Sequence, residues 1–154
     1  AAPPYIKKGL KLHSDAGISY DLSVHYYFLA LVHSDLSDLQ EAQEFAEEAL
    51  RLAQKNEEIY YAGLSNIVLG RILTKAGGSH TAKAEDYILQ GIKISETLKV
   101  KPYIAIGHLC LAELYIYTNR IEKAMKCLKT AEGMFRETGM DYWIARIQTA
   151  LKRM

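Results

Sequence analysis

Leu111 to Ala131 reads LAELYIYTNRIEKAMKCLKTA, and the spacing of its small residues decides the fold. Leu111, Ala112 and Tyr115 fall on one side of a first helix, because positions three and four apart share a face. Asn119 and Arg120 supply a turn, and Ala124, Leu128 and Ala131 fall on one side of a second helix. Small side chains let two helix backbones approach closely, so the stretch predicts an antiparallel helical hairpin that a bulky residue at Ala131 would overpack.

The same code occurs twice more upstream. Ala112 follows Leu111 as Gly70 follows Leu69 and Ala30 follows Leu29, at intervals of 42 and 40 positions. Ala124, Leu128 and Ala131 correspond to Ala84, Ile88 and Gly91, and to Ala42, Ala46 and Ala49. Such self-similarity marks a repeat architecture whose units bury their faces on one another. Gly9-Leu10-Lys11-Leu12 resembles Gly91-Ile92-Lys93-Ile94, so residues 4–16 read as the second helix of an earlier repeat, and Tyr142 to Lys152 as the first helix of a later one. The expected organisation is a half repeat at 1–17, repeats at 18–56, 57–99 and 100–139, and a half repeat at 140–154, with roughly eight helices. A chain that starts and stops in mid-repeat reads as a piece of a larger protein.

Boundary residues fit this division. Asp38 with Glu41, and Asn119 with Glu122, have capping-box spacing, and Asn56 before Glu57 and Glu58 suits a helix start. Gly77-Gly78 and Gly139 read as stops, Thr81 and Asp141 as starts, and Pro102 is tolerated only near a helix beginning. No segment alternates as a half-buried strand does.

With 49% hydrophobic and 24% charged residues among 154, the chain can build a continuous core. A formal charge of +1, with both signs mixed along the chain, argues against direct nucleic-acid binding. The apolar runs are too short for a membrane span, and AAPPYIKKG lacks the plan of a secretory signal. Cys110 and Cys127 are too few for a disulfide framework and point to a reducing, cytoplasmic setting.

The code, a leucine followed by a small residue and an aromatic in the first helix, then alanine-x3-hydrophobic-x2-alanine in the second, resembles the tetratricopeptide repeat (TPR). The units are about six residues longer than the common one of about 34, and HEAT-like repeats are the structural alternative. The resemblance implies an all-α, right-handed superhelix of antiparallel helix pairs with repeats of about 40 residues. The run from Pro102 to Leu151 further resembles the C-terminal TPR arrays of bacterial STAND-type ATPases, adenylate cyclases and LuxR-type regulators, on its Pro-Tyr opening, its Ala-Glu-Leu-Tyr core and Gly139-Met140 with Trp143 beyond.

In such repeats the first helices line a concave surface. Carried across, the inward positions are Val24, Tyr27, Leu31, Ser34 and Asp35, then Leu64, Ile67, Arg71, Thr74 and Lys75, then Ile106, Leu109, Glu113 and Tyr117. The implied partner is a protein or peptide, with Arg71 and Lys75 suited to anchoring carboxylates; the competing reading is that the long helices fill the groove with their own side chains. The lysine and asparagine of the chaperone-binding TPR clamp are replaced here by Tyr27 and Leu31, which argues against that clamp. Small-molecule or signalling-peptide sensing in the same groove is the functional alternative.

Other features have plainer readings. Tyr20, Tyr60-Tyr61, Tyr103 and Tyr142-Trp143 recur at the starts of first helices and would stack along one rim. Lys123, Lys126 and Lys129 ride a solvated outer face. His25 and His33 are eight apart, beyond the spacing of helical metal sites, and no carboxylate pair joins them with ligand spacing, so no metal is expected. With neither a nucleophile elbow nor a phosphate-cradling loop, neither catalysis nor a cofactor is expected. Unpaired end helices, through Tyr5, Leu10 and Leu12 or through Ile144, Ile147 and Leu151, suggest self-association.

Overall fold

The computed structural model describes residues 22–152 and, ahead of them, residues 8, 9, 12, 13, 15 and 16, of which all but the last are helical. Seven α-helices follow in order among the described residues: α1 Leu22–Asp35, α2 Leu39–Lys55, α3 Ile59–Ala76, α4 Thr81–Thr97, α5 Lys101–Tyr117, α6 Ile121–Glu137 and α7 Asp141–Leu151. A short 3-10 turn, Gly78–His80, lies between α3 and α4. The expected Tyr5, Leu10 and Tyr20 lie outside the described residues.

Each helix packs on the next, and α1, α3, α5 and α7 also pack one on another, whereas α2, α4 and α6 do not touch each other. A close inner row beside a splayed outer row is the geometry of a curved stack, with the inner row on its concave side. The molecule is therefore an all-helical, TPR-like repeat.

The small-residue code lies at the hairpin contacts. Ala30, Ala42, Ala46, Ala49, Ala84, Ile88, Ala112, Ala124 and Ala131 are all 0% exposed. In the α3–α4 hairpin glycine takes the closest positions: a Cβ on Gly70 would stand 2.4 Å from Ile88 Cγ1 and 2.7 Å from the Ala84 carbonyl oxygen. Tyr115 does more than fill its own hairpin. Its hydroxyl donates to Glu85 Oε1 at 2.7 Å, while Arg120 donates to Glu85 Oε2 at 2.7 Å and lies over the Tyr115 ring.

The turns correct the capping expectation. Asp38, Glu58 and Arg120 stand at the N-caps of α2, α3 and α6, and none makes a side-chain capping bond. The preceding residue instead takes a left-handed conformation, at Ser37, Glu57, Lys99, Asn119 and Gly139. Each turn is closed by a backbone bond back over five residues, as from Asp38 N to His33 O at 3.0 Å and from Arg120 N to Tyr115 O at 2.7 Å. These are Schellman-type closures, in which backbone does the work assigned to side chains.

The C-terminal stripe is corrected too. Ile147 is 1% exposed and Ala150 6%, in a core with Leu128, Ala131 and Phe135, and only Leu151 of the expected stripe is exposed. The pair α5–α6 presents an apolar cleft, and α7 fills it, with Trp143 stacked on Phe135 at 5.7 Å.

Candidate functional site

The inner row brings most of the expected residues to one groove. Tyr27 and Leu31 of α1, Leu64, Ile67 and Arg71 of α3, and Ile106 of α5 line an apolar pocket of about 120 Å³. Leu64 and Ile67 are buried and form its floor rather than an open surface. Arg71 also borders a wider recess of about 510 Å³, shared with Lys75, Glu113 and Tyr117. Leu109 is buried among Ala131, Phe135 and Ile147 and reaches only a crevice of about 20 Å³. Asp35 stands at the edge, 68% exposed at its side chain.

Charge divides the groove. Arg71 and Lys75 approach the same Asp35 oxygen at 3.7 and 3.9 Å, and Lys75 also donates to the Ser34 carbonyl at 2.8 Å and to its hydroxyl at 3.0 Å. Burial, and then the neighbouring Arg71 charge, hold the Lys75 ammonium below its ordinary pKa. Glu113 pairs with Arg146 at 3.3 Å. Three cations thus face two carboxylates, with Arg71 lining both pocket and recess.

Sequence reasoning missed the contribution of α7. Arg146 borders the recess and Trp143 the apolar pocket, with the Arg146 guanidinium 5.2 Å from the Trp143 ring centre. The repeat offset was the available signal, since α7 continues the inner row as a fourth first helix. Cys110 and Tyr103 also line the pocket. Burial pushes the Cys110 thiol up to about 12, followed by the nearby Glu113, so it is a packing thiol and not a nucleophile. Burial, with Tyr103 next, likewise carries the Tyr27 hydroxyl up to about 12. Cys110 and Cys127 are both free.

The aromatic rim is partial. Tyr60 meets Tyr61 and Tyr103 edge-on at 5.1 and 5.5 Å, and Tyr142 meets Trp143 at 5.6 Å. Lys123, Lys126 and Lys129 are exposed on α6. No described helix is long and apolar enough to cross a membrane. The metal expectation needs one correction: Asp38 and Glu41 do converge on a histidine, His33, at ligand spacing, brought there by the turn between α1 and α2.

An inner row of first helices carrying a mixed groove defines a repeat scaffold. The tetratricopeptide repeat family model matches residues 26–56 and 102–137, which are the first and third hairpins, and supports a protein of that family. The hairpin between them is the one in which glycine replaces alanine at the contact. No curated protein matches the chain. Tetratricopeptide repeats generally mediate protein–protein interaction, and proteins built from them are typically non-enzymatic scaffolds.

Proposed function

We propose that the groove binds a peptide segment of a partner protein, and that the chain is a non-catalytic interaction and regulatory segment of a larger signalling or transcription-regulatory protein. The observation carrying this reading is the pairing of a 120 Å³ apolar pocket with a 510 Å³ recess across the shared side chain of Arg71. A bulky apolar side chain fits the first, and a carboxylate nearby on the same peptide reaches the cations of the second. The resemblance of the stretch from Pro102 to Leu151 to the arrays of bacterial STAND-type and LuxR-type regulators supports the setting.

An array of peptides pairing an aromatic or aliphatic residue with an acidic one tests this. Peptides retained by the wild-type chain are expected to lose at least tenfold in affinity on Arg71→Ala/Lys75→Ala, as charge-assisted contacts are removed. An array in which no peptide distinguishes the two proteins sinks the reading.

A further inference from the structure

His33 lies in the last turn of α1 with its side chain 0% exposed, and its Nδ1 lies 3.3 Å from Asp38 Oδ2 and 3.1 Å from Glu41 Oε2. The three atoms all lie within 4.8 Å of one another. One ring nitrogen offers one proton, and only the Asp38 contact has hydrogen-bond geometry. The single ring proton leaves Glu41 Oε2 without a donor, which is costly for a buried acceptor.

Two further features point the same way. Asp38 occupies the N-cap of α2, where its carboxylate ordinarily bonds the helix N–H groups, yet it makes no such bond and turns to His33 instead. His33 has no polar partner outside the cluster: Nε2 is buried without one, and the ring rests edge-on against Phe45 at 5.1 Å.

We propose that His33 Nδ1, Asp38 and Glu41 bind a divalent transition-metal ion of the zinc class. Bonds of about 2.0–2.2 Å from nitrogen and carboxylate oxygen set neighbouring ligand atoms roughly 3.0–3.5 Å apart, and the observed 3.1 and 3.3 Å fit that edge. The side chains of Asp38 and Glu41 are 47% and 43% exposed although Glu41 Oε2 itself is buried, so the cluster lies just beneath the surface. A nitrogen ligand disfavours magnesium and calcium. The ion would clamp the end of α1 to the first turn of α2, two residues from Asp35, and so brace the edge of the groove. Sequence spacing concealed the site because its members straddle a turn.

Calorimetric titration of the whole chain with zinc chloride, with cobalt(II) absorption as a probe of ligand type, tests this. One ion per chain is expected, weakened at least tenfold by Glu41→Gln and by Asp38→Asn, whose side chains are half exposed and whose loss leaves the helical circular dichroism unchanged. His25→Ala and His80→Ala should bind as wild type. Absence of saturable uptake overturns the site, as does binding that survives Glu41→Gln and Asp38→Asn but falls with His25→Ala or His80→Ala. Magnesium chloride at the same concentration should give no heat.

Discussion

Gly70 and Arg71 are neighbours on α3 and face different elements, about 100° apart around the helix. Gly70 is buried against α4, where even a methyl group would stand 2.4 Å from Ile88. Arg71 points into the groove, 3.7 Å from Asp35. One face of the helix fixes the distance between the two helices of its hairpin, and another presents chemistry at that distance. Specificity in such a scaffold is therefore set twice, by the groove side chains and by the small residues behind them.

The two faces differ most in what a single methyl group does at Gly70. Gly70→Ala would drive its Cβ into the Ala84 carbonyl oxygen at 2.7 Å as well as into Ile88, so backbone has to move. Overpacking of this kind costs about 3 kcal/mol, a fall of roughly 6–12 °C in Tm for a chain of this size. Groove binding should fall with it, because α3 is displaced. Arg71→Ala/Lys75→Ala, by contrast, should cost less, about 1–2 kcal/mol, since the pairs with the exposed Asp35 contribute at most about 1 kcal/mol and the loss of the Lys75 bonds to Ser34 adds about 1 kcal/mol. Equal melting temperatures for Gly70→Ala and that double variant would dissolve the distinction between the faces.

A glycine on an outward face sharpens it in the other direction. Gly133 lies inside α6, and a Cβ there meets nothing within 4 Å. Gly133→Ala should stabilise the chain by about 0.5–1 kcal/mol, because alanine loses less backbone entropy in a helix. Thermal unfolding of the two alanine variants should move in opposite directions.

The hairpins were legible because one physical demand, close approach, restricts the same positions in every unit. Ala42, Ala84 and Ala124 are each 0% exposed. The groove was legible only as far as the repeats were complete. Tyr27, Leu31, Arg71 and Glu113 follow from the offset, but Trp143 and Arg146 belong to α7, for which the repeat pattern supplies no partner helix. Its apolar face is spent on Phe135 and Leu128, and that packing turns its polar face to the recess. The cluster at His33 was hidden for a related reason. Asp38 and Glu41 have the spacing of a capping box, and nothing in a linear pattern shows that a left-handed Ser37, at φ 62°, redirects both toward the preceding helix.

The smallest effect belongs to the turns, where neither face of a helix is at stake. Lys99 and Gly139 occupy equivalent left-handed positions, at φ 58° and 67°. Each turn is closed by the same backbone bond, from Val100 N to Ser95 O and from Met140 N to Phe135 O, both at 2.9 Å. Only the residue type differs, so the two positions isolate the steric cost of a Cβ in this conformation. That cost is partly offset by the greater freedom glycine has in the unfolded chain, leaving a net gain of about 0.5 kcal/mol for Lys99→Gly. Gly139→Ala should lose a similar amount. Chemical denaturation midpoints that shift in opposite directions, with unchanged groove binding, would assign the turns to stability alone. A binding change with either variant would instead mean that the turns set the angle between hairpins, and with it the width of the groove beside Arg71.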